Sequence, residues 1–196
     1  EKNKVLTRVE QERNIWKNAE KNRQAQKTLT NHIGRFHQNL LVSLDGCKEP
    51  EKGGVDFICE KKKILAELKN KHNTVNSKSK AGAFDGLTKA LLSKKNFKGY
   101  FVVITPKNNK NYEKILITTK NHKKSEYRKP NINILTINAE SFYEKITGQK
   151  NILKSIFLRI PDITITIDPK LSSLANKIQE DKSFTYYLIK ALGEFN

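Results

Sequence analysis

The chain has 196 residues, 36% of them hydrophobic, and a formal net charge of +18. That length suits one domain with a core of its own, and the clustered apolar residues exclude disorder over most of it. No apolar run is long enough to span a membrane, no signal-peptide pattern opens the sequence, and Cys47 and Cys59 with four scattered histidines suit neither a disulfide framework nor a structural zinc site. A reduced, cytoplasmic setting is the expectation.

In chain order, Val5, Val9, Ile15 and Trp16 predict a helix over residues 3–27 with one apolar side. Thr30 or Asn31 suits the N-cap of a second helix, whose stripe of Ile33, Phe36, Leu40, Leu41 and Leu44 ends near Gly46. Pro50, Gly53 and Gly54 mark a loop. Two apolar runs, Val55 to Cys59 and Ile64 to Leu68, flank the polar stretch Glu60 to Lys63 and predict a tight hairpin. The polar segment Asn70 to Lys80 reads as a loop or a helix approach. Ala83, Phe84, Leu87, Ala90, Leu91 and Leu92 make a third amphipathic helix, and Gly99 to Thr105 has the continuous apolar character of a buried parallel strand. Ile115 to Thr118 and Ile132 to Ile137 are further strand candidates, joined by a long basic connection. A short helix over Ser141 to Ile146 stops at Gly148. Residues 152–160 suit a helix broken by Pro161, Asp168-Pro169 opens another through Ile178, and a last helix covers about residues 182–192.

The hairpin carries the chemistry. With the turn centred between Lys61 and Lys62, Cys59 opposes Ile64, Phe57 opposes Ala66 and Asp56 opposes Glu67. Alternation puts Phe57, Cys59, Ile64, Ala66 and Leu68 on one apolar face, and Asp56, Glu67 and Lys69 on the other. Directly opposed carboxylates repel. A divalent cation between them removes that cost, and hard oxygen ligands suit magnesium. The competing reading is a solvated charged face, since Lys and Glu are abundant throughout.

The charge is concentrated as well. Residues 61–80 hold seven lysines against one acid, and residues 94–130 hold ten lysines and Arg128 against two acids. A polyanion partner follows, although the chain's abundance of Lys, Asn and Ile would also arise in an AT-rich genome.

A helix, then Asp at a strand start, Glu-x-Lys on the antiparallel neighbour, another helix and an apolar strand together resemble the PD-(D/E)xK nuclease superfamily. Here the motif reads Val55-Asp56 with Glu67-Leu68-Lys69, valine standing where the family often has proline. The run Glu-Leu-Lys-Asn-Lys-His-Asn-Thr at 67–74 is similar to type II restriction endonucleases, in particular a group cutting GGNCC-like or GGWCC-like sites. The resemblance covers about residues 30–105. One departure is that no clear strand separates the helix ending near Leu44 from Asp56.

The resemblance implies an α/β fold, with the central mixed sheet of restriction endonucleases flanked by helices and extra helices at both termini. It implies a single nuclease domain over 1–196, made of an N-terminal helix (1–28), a catalytic core (29–140) and a C-terminal helical addition (141–196). Asp56, Glu67 and the backbone carbonyl of Leu68 would hold Mg²⁺, with Lys69 as the catalytic cation and Gln38 or His37 completing the site. DNA contacts would come from Asn70, Lys71, His72, Asn73, Thr74, Asn76, Ser77, Lys78, Lys80 and Arg35, with Lys94, Lys95, Lys123, Lys124 and Arg128 as further phosphate contacts or plain solvated charges. The implied activity is sequence-specific cleavage of double-stranded DNA by a homodimer, with a cognate DNA methyltransferase acting on the same site. The alternatives are a structure-selective nuclease of the same fold, such as a junction resolvase, and a basic nucleic-acid binder without catalysis.

Overall fold

The computed structural model describes residues 2–51, 54–71, 75–107, 111–118, 127–180 and 182. The elements are α1 (Lys2–Val42), β1 (Cys47–Lys48), β2 (Phe57–Cys59), β3 (Ile64–Lys71), α2 (Ser77–Leu92), β4 (Lys98–Thr105), β5 (Glu113–Ile115), β6 (Ile134–Asn138), α3 (Ala139–Thr147), α4 (Ile152–Leu158), α5 (Ile160–Ile167), a 3₁₀ turn (Pro169–Leu171) and α6 (Ser172–Glu180). One six-stranded sheet runs in the order β1-β2-β3-β4-β6-β5. Its centre, β3-β4-β6, is parallel, and the outer pairs are antiparallel. The fold is therefore α/β with a mixed sheet flanked by helices, as the sequence implies.

Both faces of the sheet are covered, which is why β4 is apolar without alternation. On one face Phe57, Cys59, Ile64, Ala66, Leu68, Tyr100, Val102 and Ile104 pack with Leu41 of α1 and with α3 and Leu153 of α4. On the other, Leu65, Phe101, Val103 and Ile134 pack with Phe84 and Leu87 of α2. The hairpin register is the expected one, with Phe57 opposite Ala66 and Cys59 opposite Ile64. Lys63, at φ 55°, closes the turn, and its N–H donates to Glu60 O.

The structure departs from the sequence reading at several elements. The break expected near Thr30 is absent, and α1 is one helix of 41 residues. No proline or glycine precedes Gly34, and a capping residue ends nothing when strong helix formers such as Ala25, Gln26 and Lys27 continue the turn in front of it. The missing strand before Asp56 exists as β1, only two residues long, with Cys47 directly opposite Cys59 and both thiols free. α2 begins at Ser77, several residues ahead of its apolar stripe. Asn76 Oδ1 accepts from the Ser79 N–H, and Ser79 Oγ accepts from the Asn76 N–H, a reciprocal capping box. Pro161 starts α5 rather than ending the run, since proline fits the first helical turn. Asp168 caps the next turn as expected. The helix expected at 182–192 lies outside the described residues save Lys182.

Candidate active site

Asp56 precedes β2 by one residue, so the antiparallel register of β2 and β3 brings it beside Glu67, midway along β3. The Asp56 N–H donates to Ala66 O at 2.9 Å, and the Leu68 N–H donates to Asp56 Oδ2 at 2.7 Å. The first bond fixes the backbone and the second fixes the carboxylate. Two residues along β3, Lys69 Nζ donates to Glu67 Oε1 at 2.7 Å, with both side chains mostly covered. Asp56, Glu67 and Lys69 thus form one contiguous cluster.

Burial pushes the Glu67 carboxyl above its ordinary range, the adjacent Asp56 carboxylate pushes it the same way, and Lys69 opposes both. Two carboxylates and one ammonium leave unbalanced negative charge in a half-buried place. A hard divalent cation fits that donor set, with the oxygens of Asp56 and Glu67 and a backbone carbonyl as its ligands. Among the described residues no group of three or more His, Cys, Asp or Glu comes together, and the cluster itself holds two carboxylates.

Beside the cluster is an open hollow of about 340 Å³, lined by Asn31, Gly34, Arg35 and Gln38 of α1 and by Asp56, Leu68, Lys69 and Asn70. Gly34 permits this approach, since a Cβ there would lie 3.3 Å from Asn70 Nδ2. Of the two helix residues expected to complete the site, Gln38 faces it. His37 points into the core, 2.9 Å from Tyr143 Oη and packed against Phe36 and Phe157.

The expected DNA contacts divide by position. Asn70 and Arg35 border the hollow, and Arg35 also reaches Glu49 at 3.3 Å. Ser77, Lys78 and Lys80 occupy the first turn of α2, whose N-terminus concentrates backbone N–H groups suited to an anion. Asn76 serves that turn as its cap. The backbone of Lys71 ends β3, while His72, Asn73 and Thr74 lie outside the described residues, as do Lys123 and Lys124. Lys95 is exposed. Lys94 pairs with Glu60 at 2.5 Å, and Arg128 holds Asp85 of α2 with a two-pronged contact at 2.6 and 2.7 Å. The contact to Asp85 ties the connection after β5 to α2, a structural role hidden from sequence because 43 residues separate the partners.

A family model described as Eco47II restriction endonuclease matches residues 4–168. The chain is 34% identical to the type II restriction enzyme Eco47II of Escherichia coli over 184 residues, covering 91% of this chain and 77% of that enzyme. It is 27% identical to the type II restriction enzyme Sau96I of Staphylococcus aureus over 151 residues, covering 74% of this chain and 57% of that enzyme. No solved structure matches the chain.

Proposed function

The chain belongs to the Eco47II restriction endonuclease family and is a type II site-specific deoxyribonuclease; we propose that it hydrolyses both strands of duplex DNA with Mg²⁺ held by Asp56, Glu67 and the carbonyl of Leu68. The observation that carries this reading is the meeting of Asp56, Glu67 and Lys69 in one cluster, with the Leu68 N–H fixing Asp56. Opposed carboxylates in a half-buried place serve no folding purpose. When bound, a divalent cation polarises the scissile phosphate and lowers the pKa of an attendant water. Lys69, as an ammonium, donates to that water and so orients it, and it offsets the charge developing on the phosphate oxygens. Gln38 and Arg35, from the opposite wall of the hollow, align the strand through water and phosphate.

Two such sites related by a two-fold axis are the simple means of cutting both strands of a palindrome, so the active species is a homodimer. Residues 70–78, which follow the cluster directly in the chain, supply base and phosphate contacts near the scissile bond. The site is of the GGNCC or GGWCC kind, and a cognate methyltransferase protects it in the cell.

Digestion of a plasmid of known sequence, with Mg²⁺ and with chelator, followed by end sequencing, tests the whole reading. Discrete fragments with common ends are expected only with the metal. Asp56→Ala and Glu67→Ala should each abolish cleavage while DNA binding survives, because a lost carboxylate also relieves repulsion with phosphate. Cutting by either variant at the wild-type rate removes the metal assignment.

A further inference from the structure

Cys47 and Cys59, the chain's two cysteines, face each other across the β1–β2 pair and take no part in the cluster of Asp56, Glu67 and Lys69. The hydrogen bonds around them define the kind of pairing. The Glu60 N–H donates to Gly46 O at 2.8 Å, while the Cys47 N–H donates to Leu44 O rather than across to β2. Cys47 and Cys59 are therefore a non-hydrogen-bonded pair, the narrow position of an antiparallel ladder. Cα atoms there lie about 4.5 Å apart, and the two side chains stand close together on one face of the sheet. A disulfide needs Cα atoms about 4.4–6.8 Å apart and Cβ atoms about 3.5–4.5 Å apart. The register meets the first requirement and comes close to the second, so a bond between the sulfurs needs little movement of the backbone.

Both thiols are free, with Cys59 buried in the core and Cys47 partly exposed. Burial and the neighbouring Cys59 thiol push the Cys47 thiol up to about 12, so at neutral pH it is held protonated and slow to react. The pair lines an open hollow of about 470 Å³, with Asp45, Lys61, Lys62 and Tyr143 around it. Lys61 is tied to Asp45 at 2.6 Å, and Lys62 adds a second positive charge. Two lysines against one aspartate favour an anionic reagent in this hollow.

We propose that Cys47 and Cys59 form a thiol–disulfide site, which a small anionic disulfide of the glutathione class oxidises to a cross-strand bond within one chain. Cys47, the more accessible, loses its proton to solvent and attacks one sulfur of the reagent, forming a mixed disulfide and expelling one reagent thiolate. Cys59, deprotonated in turn, attacks Cys47 Sγ. The Cys47 Sγ–Cys59 Sγ bond forms, the mixed disulfide breaks, and the second reagent thiolate leaves. Two electrons pass from the protein to the reagent, whose two thiolates take up the two protons. Under reducing conditions the pair rests as thiols. The bond closes residues 47–59, the segment that carries Asp56, and leaves the folded register as it is. Its effect falls on the unfolded chain, which loses freedom, so the oxidised fold is the more stable one.

The test needs neither DNA nor metal, so it stands apart from the cleavage reading. The full chain is equilibrated with oxidised glutathione, freed of it, and alkylated in denaturant so that intact mass counts the remaining thiols. The wild type should lose both thiols without an adduct or a link to a second chain, becoming lighter only by the two hydrogens. Its thermal midpoint should rise by about 5–10 °C, the scale of a short closed loop in a chain of this size. Dithiothreitol should restore both thiols and the original midpoint. Cys47→Ser and Cys59→Ala should each show the same midpoint before and after the treatment. Each protein is its own reference, so a variant's lower starting stability does not matter, and Cys47→Ser suffices if Cys59→Ala fails to fold. Two thiols left after equilibration, a lasting glutathione adduct or a disulfide between chains overturns the proposal. So does an oxidised wild type that melts no higher than the reduced one, or a rise in midpoint that persists in Cys47→Ser.

Discussion

Lys69 is held 2.7 Å from Glu67, the carboxylate whose pKa burial raises. That contact lets one ammonium steady the carboxylate, and in the proposed function the same ammonium faces the reacting phosphate, which alanine cannot replace. Lys69→Ala should lower the single-turnover cleavage rate by about two orders of magnitude, the scale of a lost charge stabiliser. Metal affinity, measured by calorimetry, should persist, and a variant that folds but no longer binds metal would show that lysine has another job. Asn76 presents a different case. Its side chain accepts the Ser79 N–H at 2.8 Å, so Asn76→Ala should cost about 1 kcal/mol in denaturant unfolding before any loss of base discrimination. Asn76→Asp, which keeps the capping oxygen, should restore stability. Asp56, Glu67 and Lys69 are legible in the sequence because strand alternation has a period of two and the turn fixes its phase. Gln38 and His37 are not separable that way. Neighbouring helix positions point about 100° apart, and which one meets the hairpin depends on how α1 docks.

At the level of elements, the hairpin and β4 are legible for the same reason: their apolar patterns are short, clear and bounded by turn residues. The capping box at Asn76 and Ser79 is present in the sequence, but the polar residues around it hide the helix it starts. α1 is misread at Thr30 because a good cap and a mid-helix threonine are the same residue locally. The tie of α2 to the loop before Asp56 is invisible to pattern reading. A Cβ on Gly86 would lie 2.2 Å from the backbone oxygen of Gly54, so α2 sits hard against that loop. Backbone cannot swing aside as a side chain can. Gly86→Ala should therefore push the 54–56 segment away from β3, costing about 1–3 kcal/mol as overpacking does. Cleavage should fall by more than the folded fraction explains, because the shift displaces Asp56. Gly82→Ala, at an exposed helical glycine whose Cβ would meet nothing within 4 Å among the described residues, is the control and should leave the rate near wild type while stabilising the fold by about 0.5–1 kcal/mol. Equal behaviour of the two variants would mean that the Gly54 contact positions nothing.

At the scale of the molecule, the two-layer covering of the sheet creates a pH dependence that no local pattern announces. α1 crosses the sheet face near α3 and α4, burying His37 completely among Phe36, Tyr143 and Phe157. Nδ1 lies 2.9 Å from Tyr143 Oη, and Nε2 is buried with no hydrogen-bond partner among the described residues. Burial pushes the pKa of His37 down from 6.5 to about 4, so the folded chain keeps the ring neutral. Between those values the unfolded chain binds the extra proton and the folded chain does not. The contribution of His37 is therefore fully present above pH 6.5 and is lost as pH falls towards 4, by roughly 3 kcal/mol at its limit. Glu140, buried at the start of α3, and Glu67 act with the opposite sign. Burial raises both carboxyls, so their protonation favours the folded state as pH falls. A bare stability profile mixes the three. Comparing the wild type with His37→Leu isolates the histidine, because the carboxylates are common to both. Urea unfolding at pH 7.5 and 5.0 should show the wild type losing about 2 kcal/mol more than the variant over that interval, whatever the variant's absolute stability. Parallel profiles would mean that His37 becomes protonated in the folded protein. The core would then have to open to water between α1 and α3.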